Sequence, residues 1–514
     1  MATDEKTIIR SLLKPKIVLD EIALTDVYSG TSDKMPEGKK GEVTGHQEQN
    51  SIGTDYPFIS INNYVVKLEE LDTFRIDCTG FLPKLFVAFD LLNTTAFTSQ
   101  AMPKDGDIVS VFIRAKNDVF KPVRNDYIIT RVDIGKGGEE GMGAPVTING
   151  ELFIPRLRDE VVKSYTGNSY DVLQQIAKDM QLGFATNESS TSDSMNWICP
   201  GDSMFNLINH IADHAWKTSK DFYKVFIDVY YHLNFINVNN QFEGDSQLPA
   251  AILDSTLVKE YYPNDLPDGK AGQINIPKML SNLTDLQNTN FFIKQYQVVN
   301  NSTDVANKWG YKTHVQFFDQ KSLKYWDLYI DPLTTTGAEE NKIILKGRTF
   351  PKEVGGTGTS TAGSPSQLDY WKTQNKKMWL GVQSKNVHDK YLYSEIHNKR
   401  NREELTKLFI KVDLARWNPN VANGEKIPIL MQNIVDDQKR LMNATGDVAD
   451  ADPNKSLPAV DQFYTGYYMT DGITFCFDRS GPGGTYSSGK TSANQPRPDF
   501  YQTLFLRRRE WPAP

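Results

Sequence analysis

Along the 514-residue chain the spacing of apolar positions changes period twice. From Phe58 to about Leu157 they alternate or run together over strand lengths, at Phe58–Ile61, Thr73–Asp77, Ile108–Ile113, Tyr127–Val132 and Glu151–Ile154. The glycines of 135–143 separate the last two strands and read as a hairpin loop. An earlier strand is expected at Lys16–Leu24, followed by a Gly/Lys/Glu-rich arm through Gly45. The period then becomes helical. Ser169 is placed to cap a helix carrying Val172, Leu173, Ile176, Ala177 and Met180, ended by Gly183. A second helix starts near Asp202 or Ser203 and puts Met204, Phe205, Ile208, Ile211, Ala212 and Ala215 on one face, with Trp216 closing it. Between them, 191–197 reads as a polar loop anchored by Trp197. Strands return at Phe222–Tyr231, Leu233–Ile236, Phe291–Val299, Lys312–Phe318, Tyr325–Ile330, Tyr464–Phe477 and Phe500–Arg507. Segments 241–275 and 355–365 read as loops, and 436–458 as a loop or short helix. Helix is therefore expected in one central block between two strand-rich regions.

One strand is written twice. Residues 84–91 read KLFVAFDL and residues 407–414 read KLFIKVDL. Each copy leads, after an irregular stretch, to a turn with glycine and acid and then a strand: Pro103–Asp107 before Ile108, and Asn423–Glu425 before Ile427. Two copies so far apart are too few for a solenoid, and point to a duplicated domain with a large insertion between the copies. Coincidence between two apolar strands is the other reading. Duplication makes a specific demand: Phe86 and Phe409 must occupy matching positions in two superimposable β-barrels.

Composition narrows the function classes. The chain is 39% hydrophobic and 11% aromatic, too apolar for a disordered protein. No apolar run is long enough to span a bilayer, and the N-terminus MATDEKTIIR is not a signal peptide. Cys78, Cys199 and Cys476 have no metal-ligand spacing and cannot all pair, as expected of buried thiols in a reducing compartment. A net charge of −7 argues against a protein that grips nucleic acid through basic stripes.

The motifs that could carry catalysis each fail a physical test. Gly484–Thr491 matches the phosphate-binding pattern GxxxxGKT, but Pro496 and Pro498 would break the helix that such a loop must open. His210 and His214 have the i,i+4 spacing of a metal pair, with His232 and Asp228 as conceivable further ligands, yet the general-base glutamate of HExxH is missing. A polar helix edge hydrogen-bonded to a neighbouring domain is the simpler reading of the two histidines. No GxSxG elbow is present, and the basic tail Leu506–Trp511 reads as a docking surface or chain end. No catalytic residue, no cofactor site and no metal site is assigned, and the chain is read as non-enzymatic.

Several stretches together resemble the central baseplate hub protein of contractile-tailed bacteriophages, a family that includes the hub portion of type VI secretion spike proteins. They are Phe81–Pro83, Pro103–Asp107, the block from Tyr170 to Trp216, Trp379–Gln383, His388, Tyr391, and His397 with Asn398 through to Leu414. The resemblance implies a mainly β fold with a small α insert: two tail-tube-like β-barrel domains plus a small helical or mixed domain and long loops. The corresponding division is 1–56 as N-terminal arm and strand, 57–165 as the first barrel, 166–280 as the helical and mixed α/β domain, and 281–514 as the second barrel. That last domain carries the low-complexity insert 354–366 and the acidic insert 436–458. The resemblance further implies a homotrimer whose six barrels form a pseudo-sixfold ring in the virion tail baseplate, assembled in the host cytoplasm. Its partners would be a tail-tube or tube-initiator protein on one face, a trimeric spike on the other, and a tape-measure protein. DNA would only pass through, which an acidic lumen would suit, and no stable membrane insertion is expected. The alternative from another class is a β-rich adhesin or carbohydrate-binding tail component using the Trp and Tyr residues near 370–393.

Overall fold

The computed structural model describes residues 7–9, 57–135, 144–243, 251–252, 293–330, 376–430, 464–478 and 499–508, apart from short gaps within these spans. The expected strand Lys16–Leu24, the GxxxxGKT match and the loops 355–365 and 436–458 lie outside the described residues. In chain order the first strands are β1 Thr7–Ile9, β2 Phe58–Ile61, β3 Tyr64–Val65, β4 Leu71–Asp77, β5 Lys84–Leu91, β6 Ile108–Ile113, β7 Val123–Ile134 and β8 Ala144–Leu152. The central block holds β9 Glu160–Gly167, α1 Ser169–Asp179, β10 Gly183–Thr186, β11 Met195–Ser203, α2 Met204–His214, β12 Tyr223–Ile227, β13 His232–Asn237 and α3 Val238–Glu243. There follow β14 Ala251–Ile252, β15 Ile293–Asn300, β16 Lys312–Asp319, β17 Lys324–Ile330, β18 Lys376–Gln383 and α4 Tyr391–Glu404. The chain then runs through β19 Leu408–Leu414, β20 Lys426–Leu430, β21 Gly466–Asp478 and β22 Asp499–Arg507. The fold is mainly β with a small helical insert.

The two written copies are β5 and β19, and they sit in two units with the same strand order. In the first, β4 pairs β5, β5 pairs β8, β8 pairs β7 and β7 pairs β6; in the second, β15 pairs β19, β19 pairs β22, β22 pairs β21 and β21 pairs β20. Every one of these ladders is antiparallel. Register keeps the face but not the residue: counted from the bulges at Thr130 and Asp471, Asn149 corresponds to Phe505, and Phe86 lies opposite the first while Lys411, two residues beyond Phe409, lies opposite the second. In each unit the long fourth strand carries a bulge against the fifth, at Thr130 and at Asp471, which strengthens local twist. The strand order thus favours duplication over coincidence. The two units are joined along β21: its first residues pair with β20, and beyond them Thr474–Asp478 pairs with Thr73–Asp77 of β4. Among the described residues the ladder runs from β15 to β3 with β20 and β14 branching from β21, and neither unit has a closing pair.

Alternation in the copies decides which face is core. Leu85, Val87, Phe89 and Leu91 in β5, and Ile410, Val412 and Leu414 in β19, are buried, and they join one contiguous core with Phe74, Ile76, Ile148, Phe475, Leu504 and Leu506. That core continues under the central block through Leu173, Ile176, Trp197, Ile208 and Phe235.

The central block differs from expectation in detail. Asn168, not Ser169, is the N-cap of α1, its side chain accepting from the Asp171 N–H at 2.8 Å. The helix ends at Met180, and Gln181 rather than Gly183 takes the left-handed turn at φ 60°. Ser203 caps α2 as expected, accepting from the Asn206 N–H. The supposed polar loop is half strand: β11 pairs β9, and Trp197 is fully buried with its indole N–H on the Gly167 carbonyl at 3.0 Å.

A second helical element also departs from the expectation of one central block. α4, 14 residues long, follows a three-stranded sheet ordered β17-β16-β18 in the stretch between β15 and β19. Its sequence, YLYSEIHNKRNREE, has Leu392 and Ile396 as its only aliphatic residues and is polar from His397 on, so no apolar stripe announces it. The helix is held by hydrogen bonds to α2 and by Ile396, which packs on Val315 and Phe317 of β16. No helix among the described residues is long and apolar enough to cross a membrane.

Candidate functional site

The face of the double sheet opposite the core is open where the two units meet. A depression of about 610 Å³ lies across the join, lined among others by Arg75, Asp77, Lys84, Phe86, Gln295, Lys411, Asp413, Thr474 and Thr503. These side chains come from both units because the period-2 pleat sends every second residue of each strand to the same face. The repeat's own polar and aromatic positions are therefore its surface chemistry. Lys84, Phe86 and Asp90 leave β5 on the side from which Phe409, Lys411 and Asp413 leave β19.

Phe86 and Phe409 lie on matching strands of the two orders, both half-buried on this face. Each has a guanidinium over its ring, but from different neighbours. Arg75 of the preceding strand stands 6.0 Å from Phe86, and Arg507 of the following strand stands 3.9 Å from Phe409. The two strands share a place in the order and a face, and differ in side-chain packing.

The join is reinforced on both faces. On the open side Arg75 of the first unit approaches Asp478 of the second at 3.7 Å, and Asp478 is itself held within its own unit by the Tyr501 hydroxyl at 2.8 Å. On the core side Trp417 is 1% exposed, packs between Phe74 of the first unit (5.7 Å) and Phe475 of the second (6.0 Å), and donates its indole N–H toward the Cys476 and Tyr501 carbonyls at 2.7 and 3.0 Å. The Cys78 N–H donates to Ile473 at 2.7 Å, extending the ladder by one residue. Burial pushes the Cys476 thiol up to about 12, so it is neutral and unreactive at ordinary pH. All three cysteines are buried and unbridged.

The charge of the open face is not purely acidic. Three bases (Arg75, Lys84, Lys411) stand against two acids (Asp77, Asp413) in the depression. The net negative charge of the chain is therefore not concentrated at this join.

The residues weighed as metal ligands are separated by the fold. His210 and His214 have ring centroids 4.5 Å apart, but their nitrogens turn to α4: the Tyr391 hydroxyl meets His210 Nε2 at 3.1 Å, and His214 Nδ1 meets the Tyr391 carbonyl at 2.9 Å. This is the helix edge bonded to a neighbouring element. His232 and Asp228 engage each other at 3.2 Å across the β12–β13 turn. Among the described residues no group of three His, Cys, Asp or Glu side chains could hold a metal ion.

The elements missed in sequence include the polar anchors of the central block. Asp193, fully buried, accepts the Ser169 N–H at 2.9 Å and the Trp216 N–H at 2.8 Å, tying the start of α1 to the end of α2. Asp471, at the bulge of β21, is gripped by Lys224 from β12 (2.7 Å) and Arg507 from β22 (3.0 Å), tying the central block to the second unit. Burial alone would raise its carboxyl, but the two cations hold it well below the usual carboxylate range.

No family model matches the chain. No curated protein matches it either. Among solved structures it is similar to the tail protein from Neisseria meningitidis MC58, at TM-score 0.44 and 10% identity over 89% of this chain and 97% of that one. It is similar also to the 43 kDa tail protein of prophage MuSo2 from Shewanella oneidensis, at TM-score 0.44 and 7% identity over 89% and 98%. A Francisella PdpA–VgrG complex in its half-lidded form gives TM-score 0.38 and 12% identity over 95% of this chain and 64% of that one. The structural neighbours are thus phage tail proteins and a VgrG-containing complex. At these scores the likeness assigns neither a family nor a function to this chain.

Proposed function

We propose that the chain is a structural tail subunit that assembles as a homotrimer, each copy contributing two equivalent seats to a pseudo-sixfold ring. The observation that carries this is internal: two five-stranded units of identical order, joined through β4 and β21 so that their open faces form one surface. A chain with two equivalent units reads as sixfold to a partner that contacts backbone and as threefold to one that contacts the side chains in which the units differ. The first partner would be a hexameric tail-tube or tube-initiator protein, the second a trimeric spike, with a tape-measure protein passing through before DNA does. In this reading the open face of Lys84, Phe86, Lys411 and Asp413 lines the channel. Its mixed charge suits transit without retention, because no basic stripe is offered to phosphates. The division of the chain into arm, first barrel, central domain and second barrel is part of the same proposal, as is residence in a virion tail assembled in the host cytoplasm.

The test is the mass of the purified chain alone and with tube and spike proteins. A trimer, or a trimer that forms on adding either partner, supports the reading; a persistent monomer refutes it. A second reading, carbohydrate binding by a tail component, is favoured by the exposed Tyr325, which shares one face of the three-stranded sheet with Phe318, Leu380 and Val382. Retention on a glycan array, lost on Tyr325→Ala, would favour it.

A further inference from the structure

Four of the chain's seven histidines meet at one junction, where α4 crosses the C-terminal end of α2. The last carbonyls of α2 have no partner within their own helix and must find one elsewhere. Here α4 and the turn before it supply the donors. Asn398 Nδ2 donates to the carbonyls of Asp213 and Ala215, both at 2.8 Å, while Ser394 Oγ and His388 Nε2 donate to the His214 carbonyl, both at 3.0 Å. His214 answers in the other direction, its Nδ1 on the Tyr391 carbonyl and its ring stacked on Tyr391 at 3.7 Å and 4°. His397 Nε2 donates to the Asp221 carbonyl at 3.1 Å, ahead of β12.

Two of these imidazoles are held as neutral rings with one donor and one acceptor. His388 gives its Nε2 proton away while Nδ1 receives the Lys390 N–H at 3.3 Å. His397 gives its Nε2 proton away while Asn401 Nδ2 lies 3.1 Å from Nδ1 and 3.0 Å from Nε2. A second proton on His388 or His397 replaces an acceptor by a donor facing a donor. On His210, whose Nε2 meets the Tyr391 hydroxyl, and on His214, burial opposes it. The acids that could compensate are already engaged. Asp213 holds Lys399 and Arg402, Asp193 holds two backbone N–H groups, Asp221 holds Thr218 and Asn237, and Asp202 holds Asn206. Glu395 faces His214 at 3.9 Å but shares its charge with Lys399, and Asp389, beside His388, is paired with Lys321.

We propose that this junction is an acid-sensitive latch: neutral histidines hold α4 and the three-stranded sheet beneath it to α2, and protonation below about pH 6 releases them while the double sheet stays folded. Burial, the largest effect on each ring, pulls all four below the ordinary histidine range, His214 and His397 to about 4. The sign follows from that depression. The latch has its full strength above the unfolded value of about 6.5 and loses it as pH falls from there toward 4.

Hydrogen exchange of the whole chain between pH 7.5 and 5.0, corrected for intrinsic rates, tests it. From pH 6.5 to 5.5 the opening of 204–214 and 391–404 should rise about fivefold for each of His214 and His397, with Lys84–Leu91 unchanged. Protection that is flat with pH, or lost equally in 84–91, overturns the latch. The pair His214→Gln and His397→Gln, neutral at every pH, should flatten most of the profile. An unflattened profile in a folded double variant also overturns it, and if that variant does not fold the wild-type profile decides alone.

Discussion

Trp417→Ala removes the side chain that locks the two units together from the core side, and its cost can be worked from its surroundings. The indole is 1% exposed and lies between Phe74 and Phe475, one from each side of the join. Truncating a buried tryptophan to alanine costs about 3–5 kcal/mol through lost transfer and the cavity left behind. The indole N–H bonds toward Cys476 and Tyr501 are part of that figure, at about 1 kcal/mol each. Trp417→Phe, which keeps most of the ring volume and loses the N–H, should therefore cost about 1–2 kcal/mol. A chain with several units does not unfold as one transition, so the measurement is hydrogen exchange at the join rather than a global midpoint. Opening of Thr73–Asp77 and Thr474–Asp478 should increase roughly a hundredfold or more in the alanine variant and about tenfold in the phenylalanine variant. The central block, remote from the join, should change little. A change below tenfold in Trp417→Ala, or equal effects of both variants, would refute the claim that this residue clamps the units.

Three further outcomes are expected. A β-carbon at Gly472 would stand 2.8 Å from Thr79 Cγ2 and 3.2 Å from Thr79 Cα, so Gly472→Val should loosen the same join by about 1–3 kcal/mol, read by exchange of β4. Asp471→Asn removes the charge shared by Lys224 and Arg507; with 23% side-chain exposure left, the expected cost is about 3 kcal/mol, seen in urea unfolding of the central block. In the native chain that contribution is present above about pH 4 and fades below it, because the folded carboxyl is depressed, so an acid titration should find wild type and variant converging as pH drops through about 4. Asn398→Leu leaves the Asp213 and Ala215 carbonyls and the Tyr223 N–H without that amide, and should cost about 3 kcal/mol at the junction of α2 and α4, measured by local exchange.

The strands and the two central helices were legible because their apolar residues keep the period of their element. The copies at 84–91 and 407–414 carried further: a repeated alternation demands a repeated face, and the matched strand order around β5 and β19 followed. α4 was not legible, since its helix is stabilised by polar contacts to α2 and by a few residues such as Ile396, with no stripe for a period to reveal. Asn168 and Ser169 are both good capping residues one position apart, and only the hydrogen bond to Asp171 separates them. The anchors Asp193 and Asp471 look like ordinary surface acids in sequence. Their meaning depends on backbone N–H groups and cations brought from remote positions, which no local spacing encodes. The mixed charge of the open face was hidden for the same reason: total charge does not say which acids share a face.

The central claim is that two equivalent units in each chain become six seats in a ring of three. End-on class averages of the purified protein by electron microscopy, alone or with its tube partner, test it most directly. The account predicts a closed ring with six lobes of near-equal size and threefold symmetry in detail; a monomer, a dimer, or a ring whose lobe count is not twice its subunit count would contradict it.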